Sequence, residues 1–362
     1  LSGAIRMRQE RWDLAADPLR KSLLANAKDL VTRNRLAYVL WKIGDLEGAQ
    51  RELKEVQSRD PLDMPSAAIG ELMGVEDKEF SARIAGRREE VMDLADFFLQ
   101  SGLKQEAVKA LERYYVGSKV TVKEPCPMPY YAHGILGGDP KSIARAKELG
   151  PDCVFPNRRS EFAILEEVCR KDPTDWRARY YLGNLYFERC RKDDAGRLWS
   201  EAVKIDDTYS VLHRNLGMVA WKLDKEIWKA IFHYERAHAA NPDDLPLYRD
   251  LGTLYREAGQ YVKARDFLEQ ARGKRTRADI TSLLAQTYNQ LGEYRKAVDL
   301  LLADNYINWE GQGGLYNLYT AARIGLGEQA YGKSDYAGAL KEFQASAEFP
   351  KNLGPGMMSD MP

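Results

Sequence analysis

Histidine and cysteine are scarce in this chain of 362 residues, with four of each. Cys126, Cys153, Cys169 and Cys190 form no C-x-x-C pair, and His133, His213, His233 and His238 form no H-E-x-x-H. The spacings of structural zinc, redox dithiols and zinc proteases are therefore missing. His233 and His238 are five apart, which points them to different helix faces. No metal and no cofactor is expected, and the thiols should be small buried apolar groups, in keeping with a reducing compartment. A surplus of charge is also missing: Lys+Arg and Asp+Glu are equal at 54 each. That excludes a dedicated nucleic-acid binder, which needs a basic excess. No run approaches about 18 apolar residues, so no membrane-spanning helix is expected. The opening LSGAIRMRQE has no apolar core behind its charges and is no signal peptide. A cytoplasmic location is expected. Because an initiator Met is lacking, the start reads as a cut end, and a secreted origin stays open.

A strong internal repeat is present. RYYLGNLYF, HRNLGMVAW, YRDLGTLYR and TSLLAQTYN align, with a small residue at Gly183, Gly217, Gly252 and Ala285. A second small residue recurs at Ala195, Ala230, Ala264 and Ala297, and a large one at Trp199, Tyr234, Leu268 and Leu301. The period is 33 to 35 residues, the size of one pair of antiparallel helices. Close helix crossing requires Gly or Ala, and large residues at helical spacing fill the gap to the next pair. Gly259 and Gly292 fall where a first helix must end on a left-handed residue. These motifs resemble the tetratricopeptide repeat, nearly throughout for Leu251-Gly252, Tyr255, Gly259, Tyr261, Ala264, Leu268 and Ala271. The resemblance implies an all-α, right-handed superhelical solenoid of helix pairs with irregular breaks.

Weaker copies span Leu36–Pro61, Ala95–Tyr115 and Leu326–Pro350. RWDLAADPLRKSLL reads as the second helix of a repeat whose first helix is missing. Residues 62–90 leave room only for a compressed pair. Pro125, Pro127 and Pro129 alternate through VTVKEPCPMPYY and predict an extended connector rather than helix. Four segments follow: N-terminal repeats over 1–119, the Pro-rich connector with a degenerate pair over 120–158, regular repeats over 159–304, and a WEG loop with a last repeat over 305–362. The array begins mid-repeat and ends at MMSDMP without a polar cap, which predicts a piece of something longer. The order VFPNRRSEFAILE, YYLGNLYF, LWSEAVKID, WEGQGG, FPKNLGPG also resembles the C-terminal helical region of bacterial DUF5107-type proteins. Those carry a sugar-binding-like β-rich part ahead of their repeats, so this resemblance implies a link to carbohydrate metabolism.

GILGGDPKS is no phosphate loop, because Asp139 and Pro140 stand where Gly and Lys are needed. They predict a helix start instead. Trp309 and Glu310 suggest a sugar platform and an acid, but glycosidase chemistry needs two facing carboxylates, and only Asp304 is near in sequence. No catalytic residue is assigned. A structural joint at the edge of a binding groove suits YINWEGQGG better. In the repeat geometry, first helices line the concave face, which places Tyr180, Asn184, Phe187, Arg214, Asn215, Met218, Trp221, Arg249, Arg256, Gln286 and Asn289 toward a ligand, with Trp309 at the edge. Asn184 and Asn215 match the asparagines of the carboxylate clamp that chaperone-tail-binding repeats use. The clamp's cationic positions hold Tyr180, Pro246 and Asp250 instead. The expected function is an interaction scaffold holding a peptide or protein segment in that groove; the alternative is an auxiliary module of a carbohydrate-active protein that contacts glycan.

Overall fold

The protein is described by a computed structural model covering residues 2–75, 77–85, 87–113, 125–274, 278–306 and 314–353. Every regular element among these residues is helical. The chain divides into two compact units, 1–205 and 206–362. In unit 1, α1 (Ser2–Arg8) pairs with α2 (Trp12–Ala25), α3 (Leu30–Lys42) with α4 (Leu46–Arg59), and α5 (Met64–Leu72) with α6 (Lys78–Ile84). Then α7 (Arg88–Gln100) pairs with α8 (Lys104–Glu112), and α9 (Pro127–Gly137) with α10 (Pro140–Glu148). Helix α11 (Arg159–Lys171) packs on α7, α9 and α12 (Trp176–Glu188), and α12 pairs with α13 (Lys192–Ile205). In unit 2, α14 (Ser210–Met218) runs into a π-helical turn, Val219–Asp224, and pairs with α15 (Ile227–Ala240). The pairs α16 (Leu245–Glu257) and α17 (Tyr261–Lys274), α18 (Ala278–Gln290) and α19 (Tyr294–Leu302), and α20 (Gly314–Gly332) and α21 (Tyr336–Ser346) follow, and a 3-10 turn, Lys351–Leu353, returns onto α19.

One device registers the pairs. A Cβ at Gly183 would sit 2.4 Å from Trp199 Nε1, one at Gly217 2.6 Å from Tyr234 Cδ2, and one at Gly252 2.6 Å from Leu268 Cδ2. The small residue of the first helix thus receives the large residue of its own partner helix. Trp199, expected between successive pairs, sits instead inside its own pair, 2 % exposed, with its indole N–H donating to the Tyr180 carbonyl at 3.3 Å. The separation is sixteen residues from Gly183 to Trp199, Gly252 to Leu268 and Ala285 to Leu301. It recurs at Gly3 and Leu19, where a Cβ would come within 2.6 Å, and at Gly327 and Phe343, within 2.4 Å. Ala37 with Leu53 and Ala95 with Leu111 keep the same separation, all four buried. The Gly3–Leu19 contact corrects the reading of the opening: the first helix is present as the short α1. In the compressed α9–α10 hairpin the lock shortens to Gly134 against Ile143.

The Pro-rich segment also departs from expectation. Residues 120–124 lie outside the described residues, but Pro127 and Pro129 begin α9 rather than extending a connector. The first turn of a helix has no carbonyl partners for its N–H groups, so proline costs nothing there and its fixed φ suits the start. Aspartates set other starts: Asp29, Asp45, Asp63 and Asp175 each accept from a first-turn amide, worth about 1 kcal/mol apiece. Asp139 does the same for α10, accepting from Lys141 N and Ser142 N at 3.1 Å. Gly259 and Gly292 end their helices at φ +73° and +72°, as expected; Cys190 and Lys225 take that left-handed position in their own pairs, both at φ 61°. The thiols are not uniformly buried: Cys153 and Cys190 are exposed.

Candidate functional site

The residues expected to meet a ligand divide between the units. In unit 1, Tyr180 is buried at 4 % exposure, its ring tilted on Tyr181 at 5.4 Å. Asn184 and Phe187 are half-buried, and Phe187 lies 5.5 Å from the Trp199 ring. Tyr180 therefore serves packing, and Asn184 offers the more accessible polar group.

In unit 2, the first helices α14, α16 and α18 carry the set. Arg214 is exposed on α14, with Asn215 and Met218 half-buried beside it. On α16, Arg249 donates from Nε and Nη2 to Asp250 Oδ1 at 2.8 and 2.7 Å. Arg256 is half-buried, and burial holds its guanidinium below its ordinary pKa. Its Nε has no hydrogen-bond partner among the described residues. On α18, Gln286 Nε2 donates to Ser282 Oγ at 3.2 Å, and Asn289 Nδ2 donates to the Leu318 carbonyl at 3.0 Å. The Asn289 Oδ1 is buried and unpartnered among the described residues. Trp309 lies outside the described residues, as does Glu310.

The π-helical turn organises Trp221. Twelve residues separate the small residue of the first helix from that of the second in the Gly183, Gly252 and Ala285 pairs, but thirteen separate Gly217 from Ala230. The extra residue is absorbed as the π turn, a form that recurs at functional sites. The Trp221 N–H donates to Glu257 Oε2 at 2.7 Å, Lys222 Nζ stands 3.1 Å from its ring centroid, and Tyr234 meets it edge-on at 6.2 Å. Trp221 and Asn289, both four positions beyond a crossing residue, thus reach the first helix of the following pair. That bridging role was not legible from spacing alone.

A second cluster escaped the sequence entirely. His213 Nε2 faces the Asp207 carbonyl at 3.1 Å, and its Nδ1 faces His233 Nδ1 at 3.2 Å. A carbonyl only accepts, so His213 Nε2 carries the proton, and His233 Nδ1–H donates to His213 Nδ1. Both rings are held neutral. Burial depresses the His213 pKa, and burial, His213 and Lys229 push His233 down to about 4. The two histidines are twenty residues apart on different helices, so no local spacing announces them. Among the described residues no group of three or more His, Cys, Asp or Glu is placed to hold a metal ion. No helix there is long and apolar enough to cross a membrane.

The described residues reach the leading edge of YINWEGQGG at Tyr306. Tyr306 N–H donates to the Asn352 carbonyl at 2.8 Å, and Asn352 Nδ2 donates to the carbonyls of Leu301 and Asp304, both at 2.8 Å. The FPKNL segment therefore clips the end of α19.

The family model of the anaphase-promoting complex (cyclosome) subunit 3 matches residues 224–303. Anaphase-promoting complex subunit 3 of Schizosaccharomyces pombe is 25% identical over 152 residues, 41% of this chain and 23% of that protein. Stress-induced-phosphoprotein 1 of Caenorhabditis elegans is 31% identical over 97 residues, 26% of this chain and 30% of that protein. The chain thus spans less than a third of the length of these relatives. Among solved structures, Pseudomonas aeruginosa pilF aligns at TM-score 0.35 and 17% identity, covering 73% of this chain and 98% of that one. Yeast Tom70 aligns at TM-score 0.30 and 13% identity, covering 97% and 91%. MamA aligns at TM-score 0.27 and 18% identity, covering 60% and 91%. The glycine-locked helix pairs give the described residues an all-α fold of tetratricopeptide-like helix pairs.

Proposed function

We propose that the chain is a non-catalytic scaffold that holds a peptide or protein segment against the first-helix face of unit 2. The observation that carries this reading is a fixed aromatic beside an exposed cation. The Trp221 ring is held by Glu257 and Lys222, and Arg214 stands exposed on α14, the helix that runs into the turn carrying Trp221. Rigid aromatics, arginines and amides are the side chains that anchor interfaces. The generic use of tetratricopeptide arrays as protein-binding scaffolds supports it further. Chaperone-tail recognition fits poorly, because Asp250 occupies a cationic position of that clamp and is held by Arg249.

Pull-down with the full chain tests the reading. Arg214→Ala, Arg249→Ala and Trp221→Ala together should remove the partners that the parent chain retains, with helicity unchanged by circular dichroism. Retention of every partner would refute it. Turnover in this chain that disappears on Glu310→Gln would overturn the non-catalytic part. The glycan alternative rests on Trp309, which lies outside the described residues.

A further inference from the structure

Unit 1 holds a cleft of about 590 Å³ lined by Ala4, Ile5, Arg8, Arg35, Gln100 and Arg159. Three of its six lining residues are arginines, and none is a carboxylate. Among the described residues no carboxylate lies within ion-pair distance of Arg8, Arg35 or Arg159. Other arginines of unit 1 are paired, as Arg158 is with Glu89 and Asp93.

The arginines are placed by built contacts. Arg35 Nε donates to Ser101 Oγ at 3.0 Å, and that hydroxyl donates to the Phe97 carbonyl at 2.8 Å. The guanidinium is thereby fixed through one nitrogen, and its terminal nitrogens remain for a ligand. Arg8 Nη2 donates to the Gln100 carbonyl at 3.3 Å. Gly102 makes that approach possible: a Cβ there would lie 2.7 Å from the Arg8 Cα, and its φ of +82° favours glycine independently. Burial lowers the Arg35 pKa, Asp29 opposes this, and the nearby Arg8 charge adds to it. Bringing like charges together with only Asp29 to offset them is destabilising, so an anion should be favoured where they converge.

A neighbouring hollow of about 390 Å³ shares Arg8, Gln100 and Arg159 and continues over Leu99, Ile135 and Ala163. Of its two carboxylates, Glu167 pairs with Arg170 and Lys171, and Asp96 accepts from Gln100 through Oδ2 while its buried Oδ1 has no partner among the described residues. A cationic cleft therefore opens onto an apolar one. Arginine forks suit the paired oxygens of a carboxylate or phosphate.

We propose that Arg8, Arg35 and Arg159 bind the acidic group of a peptide segment whose neighbouring apolar side chain enters the Leu99–Ile135–Ala163 hollow. This rests on the scaffold reading but uses a different surface, wholly within unit 1. It assigns a second recognition site with its own chemistry.

Calorimetry on the full chain tests it, with three unlabelled nonapeptides of one sequence in which leucine alternates with glutamate, phosphoserine or glutamine. The glutamate or phosphoserine peptide should bind, with whichever is tighter naming the natural anion, and the glutamine peptide should bind at least about tenfold more weakly. Arg159→Gln, at an exposed and unpaired side chain, should weaken binding by about tenfold or more. Arg35→Lys, which keeps the charge and loses the fork, should weaken it measurably. Arg214→Gln in unit 2 should leave it unchanged. The proposal is overturned if no acidic peptide binds, if the glutamine peptide binds equally, or if Arg159→Gln and Arg35→Gln, folded by circular dichroism, bind as the parent does. Loss on Arg214→Gln alone would place the binding in unit 2 and separate the two readings.

Discussion

The contact between Gly183 and Trp199 makes a quantitative prediction about how one helix pair is held. In an unobstructed helix, Gly→Ala gains up to about 1 kcal/mol from propensity. Here the new methyl would lie 2.4 Å from Trp199 Nε1 and 2.6 Å from Cδ1. The indole is 2 % exposed, anchored on the Tyr180 carbonyl and backed by Phe187, so it cannot swing aside. Overpacking of this kind costs about 1–3 kcal/mol. The net expectation for Gly183→Ala is a loss of about 1–2 kcal/mol, and Trp199→Ala should lose about 3–5 kcal/mol. The Ala285–Leu301 pair supplies the compatible alternative at the same sixteen-residue separation. In a Trp199→Leu background, Gly183→Ala should therefore become neutral or stabilising. The double-mutant cycle should show a coupling of about 1–2 kcal/mol, read from urea unfolding by circular dichroism. An equal effect of Gly183→Ala in both backgrounds, or stabilisation by the single substitution, would refute the lock.

Acid should weaken unit 2 through its histidine pair. Both folded pKa values lie below the ordinary 6.5, His233 at about 4. Their contribution is therefore present above about pH 6.5 and is lost as pH falls toward 4, because the unfolded chain binds the protons first. For His233, discounted for its partial exposure, the loss should be about 1–2 kcal/mol. His233→Gln should flatten that part of the pH dependence, and an unchanged slope would refute the assignment. Cys190 sits at φ 61°, where a side chain is strained, so Cys190→Gly should raise stability by about 0.5–1 kcal/mol. A loss of stability in thermal unfolding would show that the thiol contributes packing its exposure does not suggest.

Much of the fold was legible because the constraints are local. The small residue, the large residue sixteen on and the left-handed glycine all lie within one helix pair, so Gly252, Leu268 and Gly259 announce themselves in the chain. Gly3 and Leu19 carry the same signal, but α1 is too short to show helical periodicity, so the sequence alone suggests a missing first helix. Pro127 and Pro129 misled because alternating proline forbids a helix interior and not a helix start. The site was less legible for a physical reason: spacing gives the direction of a side chain but not what already occupies it. Tyr180 was placed toward a ligand and is buried, and Asn289 bonds onward to Leu318. The His213–His233 contact and the Arg8–Arg35–Arg159 cleft join residues from separate helices, 124 positions apart in the case of Arg35 and Arg159. No window along the chain contains them.

Because each crossing glycine is filled by its own partner helix, register is decided inside the hairpin and owes nothing to the outward-facing positions. Those positions can drift under selection for new ligands while the scaffold keeps its shape. The π turn shows one way to lengthen a hairpin: an added residue between the two seam positions is taken up as a bulge, and Trp221 sits within it.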